Sequence, residues 1–355
     1  MTSFSAFDHA MMARSLALAE KGLYTTTPNP RVGCVMTQGE EIIAEGWHER
    51  AGAPHAEAVA LEKAGSRAAG ATVYVSLEPC NHFGRTPPCA GALINAKVAR
   101  VVAALRDPNP QASGGGAALV GAGIRFEHGL MQDEARELNI GFVSRMTRGR
   151  PWVRLKAAAT FDGRTALRDG KSQWITGPEA RRDGHRWRAR ACALLTGIGT
   201  VKADDPQLTV RDIDTPRQPL RVIVDSRLET PQSARILQGE RVLVFSAQPG
   251  VLKNAEVIAL PNTGGKVDLP RMLEELARRG VNELHVEAGF KLNGSLVREG
   301  CVDEVLLYLN PSFLGDSAQG IVDLPAPDSL AGRTSLRIKS LERVGEDLRI
   351  LARTP

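Results

Sequence analysis

The sequence predicts two α/β domains in series, and three observations carry that prediction. The chain has 355 residues, more than a single hydrophobic core usually organises and ample for two domains of ordinary size. Short β-branched and apolar runs alternate with stretches of helical periodicity, the rhythm of sheets covered by helices. The alternation breaks at Thr147-Arg148-Gly149-Arg150-Pro151, a short polar segment interrupted by glycine and proline. Domains are therefore expected at 1–147 and 151–355.

Composition excludes several classes. With 43% hydrophobic and 24% charged residues the chain reads as globular, and no apolar run approaches the ~18 residues of a membrane span. The N-terminal stretch, MTSFSAFDHAMMARSLALAEKGL, lacks a basic start and a cleavage site, so it is expected to be a helix of the mature fold. Of five cysteines, Cys34, Cys192 and Cys301 stand singly in apolar segments and read as core thiols. That usage fits a reducing cytoplasm. The net charge of +5 is uneven: residues 1–147 hold 13 Lys and Arg against 14 Asp and Glu, the remainder 32 against 26. Without polybasic runs, and with 5% aromatics, a nucleic-acid groove is not expected. Phosphorylated small molecules suit the basic half better.

In the first domain, Phe7 to Gly22 has helical spacing, and the two prolines of Thr25-Thr26-Thr27-Pro28-Asn29-Pro30 impose a loop. Arg31–Met36 and Glu41–Trp47 form a strand pair about Gln38-Gly39-Glu40. Pro54 starts a helix that runs through Leu61 and Lys63, Ala71–Leu77 is a strand, and Pro87-Pro88 opens another helix. Ser113-Gly114-Gly115-Gly116 reads as a flexible loop, Gly121-Ala122-Gly123 as a turn, and Asp133 to Met146 as one helix.

The chemistry concentrates in this half. His55, Cys80 and Cys89 offer one nitrogen and two sulfurs, the donors zinc prefers, with the fourth tetrahedral position left for water. Glu57, two residues past the histidine, is placed to move protons without binding the metal. A zinc ion held by His/Cys/Cys beside a non-ligand Glu is the constellation that replaces an exocyclic amine on a base-like ring. A closed structural site, with His82 as fourth ligand, stays open as the bland alternative. Eight residues separate Cys80 from Cys89, where the generic signature has two, so the insertion is where recognition would be adjusted. His82 and Arg85 are its candidates for a phosphate or sugar, and Asn29 for a ring edge.

In the second domain a strand from Trp152 to Ala159 is followed by strands at 193–196, 220–224, 242–245, 283–286 and 304–309. Helical stretches lie at 178–190, 269–279 and 291–299, so a mainly parallel sheet is expected, with ligands at the carboxyl ends of its strands. Three segments bring polar groups there: Lys171–Thr176, Thr196–Thr200 with Asp204-Asp205-Pro206, and Glu287–Ser295. None is a Gly-x-Gly-x-x-Gly fingerprint, and Ser295 stands where a Walker A motif needs lysine. Residues alone give a nucleotide- or phosphate-binding domain of unstated activity.

Taken together, Asn29-Pro30-x-Val32-Gly33, His55-Ala56-Glu57, Glu78-Pro79-Cys80, Gly84-Arg85-Thr86-Pro87-Pro88-Cys89 and Asp107-Pro108-Asn109-Pro110 resemble the bifunctional deaminase–reductases of riboflavin biosynthesis. Leu155-Lys156, Asp162–Thr165, Ser172–Thr176, Ala203–Arg211 and Glu287-Ala288-Gly289 resemble the reductase half. The resemblance implies an N-terminal cytidine-deaminase-like three-layer domain and a C-terminal dihydrofolate-reductase-like domain. It implies one zinc ion per chain, NADPH, a phosphorylated pyrimidine substrate and a cytoplasmic homo-oligomer. Carried over by position, Ala158, Trp174, Thr200, Asp204, Ser226, Gly289, Phe290, Lys291, Leu292, Asn293, Gly294 and Ser295 would line the cofactor. Ser172, Arg188, Leu208, Arg211 and Glu287 would hold the substrate, the two arginines clamping its phosphate. The rivals are a nucleic-acid-editing zinc deaminase with an appended nucleotide-binding domain, and a closed zinc module joined to a nucleotide sensor.

Overall fold

A computed structural model describes residues 4–82, 87–239 and 242–355. Two compact units divide the chain, Met1–Arg148 and Gly149–Pro355.

In the first unit the elements run α1 (Ala6–Glu20), β1 (Gly33–Gln38), β2 (Glu41–Trp47), α2 (Ala56–Ala64), β3 (Thr72–Leu77), α3 (Cys89–Asn95), β4 (Arg100–Leu105), α4 (Gly115–Gly121), β5 (Arg125–His128), α5 (Gln132–Leu138) and α6 (Ile140–Arg148). Ser5 caps α1, its hydroxyl accepting the Asp8 N–H while the Asp8 carboxylate accepts the Ser5 N–H. The sheet order is β2-β1-β3-β4-β5. β1 lies antiparallel to β2 and β3, and β3, β4 and β5 run parallel. Successive strand residues serve opposite faces. Cys34, Met36, Val73, Val75 and Val101 pack in one core with Ala60, Leu93 and Leu119; Val35, Tyr74 and Val102 pack in another with Met12, Leu16 and Phe142. Helices thus cover both faces, giving three layers.

Two sequence expectations fail here for physical reasons. The glycine run is not a flexible loop: Gly115 and Gly116 are buried and begin α4. A Cβ on Gly115 would lie 1.8 Å from the Pro79 carbonyl oxygen, and one on Gly116 2.3 Å from the Phe126 ring, so these glycines serve close packing. The last helix is two, because the buried Asn139 side chain turns to the β1 side: its Oδ1 accepts the Arg31 N–H at 2.8 Å and its Nδ2 donates to the Arg31 carbonyl at 2.9 Å.

The second unit runs β6 (Trp152–Thr160), β7 (Arg164–Ala166), α7 (Pro178–Arg190), β8 (Ala193–Gly197), α8 (Ile198–Asp204), β9 (Leu220–Val224), β10 (Val242–Ser246), β11 (Glu256–Ala259), α9 (Leu269–Arg278), β12 (Glu283–Val286), α10 (Phe290–Arg298), β13 (Glu304–Asn310), β14 (Gln319–Gly320), β15 (Arg337–Val344) and β16 (Asp347–Arg353). The large sheet has the order β11-β10-β9-β8-β12-β6-β13-β16-β15. The first seven of these strands are parallel; β16 and β15 add antiparallel at one edge. Parallel strands buried on both faces read as continuous apolar runs, as Ala193–Leu195 and Val242–Phe245 do. Within β6, Arg154 is fully buried, its guanidinium donating to Glu304 at 2.5 Å and Glu283 at 3.2 Å.

Candidate active sites

In the first unit, three local structures deliver the metal donors. His55 is the residue that caps α2, Cys80 follows β3 by three residues, and Cys89 is the first residue of α3. Cys80 Sγ lies 3.6 Å and Cys89 Sγ 3.3 Å from His55 Nδ1, and all three ligand atoms fall within 4.8 Å of one another. The Cys89 N–H donates to Cys80 Sγ at 3.4 Å. Cys80, hydrogen-bonded by Cys89 and beside His55, is pulled down to about 4, while its partner Cys89 is pushed up by the same hydrogen bond. One imidazole and two sulfurs, which bind metal as thiolates, suit a zinc ion. Among the described residues no fourth donor joins this cluster, and His82 is exposed outside it. Arg85 lies outside the described residues.

Glu57, in the first turn of α2, is 3% exposed, and burial pushes its carboxyl up to about 7 against the pull of His55. It stands against the Cys89 thiol without being one of the three ligands. A bound dication would draw its proton affinity back down. Glu78, which the sequence offered only as part of a motif, fixes the ligand loop. Its Oε1 accepts the Gly116 N–H at 2.9 Å and its Oε2 the Asp107 N–H at 3.3 Å. His48 donates from Nδ1 to the Pro54 carbonyl at 3.0 Å; its Nε2 is then an acceptor for the Asn29 amide, also at 3.0 Å. The tautomer is set by the carbonyl, which in turn orients Asn29.

In the second unit, β8 and β12 are neighbours, and each runs at its carboxyl end into a helix capped by glycine, Gly197 for α8 and Gly289 for α10. Neither start has a side-chain cap. A Cβ on Gly289 would reach to 3.6 Å from Thr200 Oγ1, and one on Gly197 to 3.0 Å from the Leu292 side chain, so the two helix starts adjoin. First-turn N–H groups without helical partners suit a pyrophosphate, and this pairing of bare starts fits a dinucleotide. The segment 289–295 divides, however. Gly289, Phe290 and Lys291 form the accessible start, whereas Leu292 packs into the core. Asn293 is buried with Nδ2 on the Ile321 carbonyl at 3.1 Å, and Gly294 presses on Asp323, whose carbonyl oxygen would be 2.2 Å from a Cβ. Ser295 Oγ donates to the Lys291 carbonyl at 3.3 Å. The side chains of Leu292 and Asn293 and the close approach at Gly294 thus serve the packing of α10, while the Leu292 N–H still belongs to the first turn, whose N–H groups have no helical partner.

Ser226 follows β9, its Oγ accepting the Val267 N–H at 3.2 Å; Ala158 is half-buried in β6, and Asp204 is the exposed last residue of α8. Trp174 is 70% exposed, with the Arg181 guanidinium 4.7 Å over its ring, and Ser172 is half-buried in the same loop. Arg188 does not stand open as half of a clamp. It donates to Glu287 from Nε at 2.5 Å and Nη2 at 2.8 Å, and from Nη1 to the Thr209 carbonyl at 3.0 Å. Burial disfavours the charge on Glu287, but Arg188 holds it well below the usual carboxylate range. Arg211 is exposed; its N–H donates to His185 Nδ1 at 3.3 Å, close to the buried Leu208, whose φ is +52°. Lys156, to which the sequence assigned no role, lies in β6 with Nζ 5.9 Å over the Tyr308 ring. Burial lowers its pKa, and Glu287 opposes. A lysine in the middle of a strand of a buried parallel sheet was the available signal.

Fold and sites together define a class: an enzyme that joins a zinc-dependent hydrolytic deaminase to a nicotinamide-dependent reductase. Residues 5–105 match the cytidine and deoxycytidylate deaminase zinc-binding region, and residues 151–350 match the RibD C-terminal domain. The riboflavin biosynthesis protein RibD of Escherichia coli is 45% identical over 96% of this chain and 98% of its own, and that of Haemophilus influenzae 45% identical over 99% and 98%. Among solved structures, RibD of Acinetobacter baumannii (form 1) superposes with a TM-score of 0.92 at 40% identity over 98% of this chain and 99% of that one. The diaminohydroxyphosphoribosylaminopyrimidine deaminase/5-amino-6-(5-phosphoribosylamino)uracil reductase of Thermotoga maritima gives 0.90 at 31% identity over 98% and 99%. The chain belongs to the RibD family. It is a bifunctional deaminase and reductase of riboflavin biosynthesis that uses zinc and NADPH. Among the described residues no helix is long and apolar enough to cross a membrane.

Proposed function

We propose that residues 1–147 deaminate 2,5-diamino-6-ribosylamino-4(3H)-pyrimidinone 5′-phosphate and that residues 151–355 then reduce its ribosyl group to a ribityl chain. The carrying observation is the buried Glu57 carboxyl beside a cluster of three soft donors with no fourth among the described residues. When bound, zinc supplies the Lewis acidity that makes water a nucleophile at neutral pH. His55, Cys80 and Cys89 hold it. Glu57, buried against Cys89 but not one of the three donors, takes the proton from the attacking water and returns it to the departing ammonia. Asn29, oriented by His48, reads the ring edge, and His82 and Arg85 hold the ribose phosphate.

In the reductase, NADPH supplies the hydride. The starts of α8 and α10 hold its pyrophosphate, with Ala158, Trp174, Thr200, Asp204, Ser226, Gly289, Phe290 and Lys291 around it. Glu287, fixed by Arg188, accepts from ribose hydroxyls, Ser172 and Leu208 shape the pocket wall, and Arg211 meets the phosphate. A cytoplasmic homo-oligomer is the assembly proposed. Five free cysteines support the compartment, and the exposed Ile338 and Leu341 of edge strand β15 support self-association.

Glu57→Gln tests the reading. Ammonia release should fall by about 10²–10⁴-fold with zinc content unchanged, and NADPH oxidation on the deaminated compound should persist. Undiminished ammonia release would remove Glu57 from the reaction.

A further inference from the structure

NADPH differs from NADH by one phosphate on the adenosine ribose, so a chain that uses it should place cations where that ribose lies. The sheet order fixes the direction. With the pyrophosphate over the helix starts that follow β8 and β12, the nicotinamide end points toward β6 and its Lys156, which Glu287 at the end of β12 faces. The adenosine end must then run the opposite way, over β9, at about 5 Å per strand.

Just past the end of β9, two cations converge on one carboxylate. Arg227 Nε lies 2.9 Å from Glu229 Oε1, and Lys202 Nζ 2.6 Å from Glu229 Oε2. Lys202 comes from α8, the helix whose Thr200 adjoins Gly289, and Arg227 adjoins Ser226. The Arg227 and Lys202 side chains are 78% and 48% exposed. Exposed ion pairs of this kind contribute little, so Glu229 holds the cations in place without binding them strongly. Asp204 and Asp205 close this end of α8; Asp205 accepts the Arg235 N–H at 2.8 Å, and Asp204 carries no ion pair among the described residues.

We propose that Arg227 and Lys202 form the 2′-phosphate site of the reductase, with Glu229 occupying the cations until the cofactor arrives. The phosphate dianion takes both cations from Glu229, since guanidinium and ammonium bond a phosphate more strongly than they bond a solvated carboxylate. Glu229 thereby sets the preference: it lowers affinity for every ligand that uses these cations and leaves NADH untouched. The assignment rests on the proposed seat of the pyrophosphate at Gly289.

Calorimetric titration of the full chain with NADPH, NADH, 2′,5′-ADP and 5′-ADP tests both points. Arg227→Gln and Lys202→Gln should each weaken NADPH and 2′,5′-ADP about tenfold while leaving NADH and 5′-ADP unchanged. Glu229→Gln should tighten NADPH and 2′,5′-ADP, a sign that a merely structural triad would not produce. Equal losses for NADPH and NADH in Arg227→Gln, or no change in either, would overturn the proposal. Gly289→Val probes the pyrophosphate seat separately, because it should weaken NADPH and NADH alike. If it spares both while Arg227→Gln weakens only NADPH, the cation site stands and the seat is wrong.

Discussion

Replacing Gly115 by alanine should loosen the zinc site although Gly115 touches no metal. Two effects oppose each other. Gly115 opens α4 at a negative φ, so alanine alone would favour the helix by up to about 1 kcal/mol. The new methyl, however, would sit 1.8 Å from the Pro79 carbonyl oxygen and 2.9 Å from its carbon. Ordinary contact begins near 3.4 Å, so the carbonyl must withdraw by roughly 1.5 Å. Overpacking of this kind costs about 1–3 kcal/mol, which exceeds the propensity gain. Because Pro79 is bonded to Cys80, the sulfur shifts with it, and metal distances tolerate only about 0.2 Å. We expect zinc affinity to fall about 10–100-fold, as when a ligand's supporting contact is lost. Competition against a chromophoric chelator measures it, with thermal unfolding alongside. Gly121→Ala, in the same helix with nothing within 4 Å of the added carbon, is the control and should stabilise slightly. If Gly115→Ala holds zinc as tightly as the parent and melts no lower, the close-approach argument is wrong.

Arg154→Ala leaves two buried carboxylates, Glu283 and Glu304, short of a partner in a site where no water reaches. Stability should drop by about 3–5 kcal/mol in denaturant titration; a loss below about 1 kcal/mol would show that Arg190 and Arg353 compensate fully. His185 gives a pH dependence. Burial pushes its pKa from 6.5 down to about 4, and its Nδ1 must stay unprotonated to accept the Arg211 N–H. Between these values the unfolded chain binds the proton and the folded one does not, so stability should fall as pH drops from 6.5 to 4. His185→Gln should remove that part of the slope. An unchanged profile would assign it to another group.

The zinc donors and Glu57 were legible because metal chemistry restricts residue types so tightly that four side chains and a proline-opened helix define the reaction. The parallel sheet was legible from its apolar runs, since strands buried on both faces leave that mark. The glycine run was not, because sequence registers conformational freedom but not the Pro79 carbonyl that fills the space. Nor was the split of the last helix, which depends on Asn139 meeting Arg31, 108 positions earlier. In the second unit, family position named Arg188 and the stretch 289–295, but only packing showed that Arg188 is committed to Glu287 and that Asn293 and Gly294 face the chain at 321–323. The sequence by itself determined which chemistry the chain can perform, because donor types and their spacing are local properties. Tertiary structure decided which polar groups remain available to a ligand, because a hydrogen bond spent on a distant residue leaves no trace in the order of amino acids.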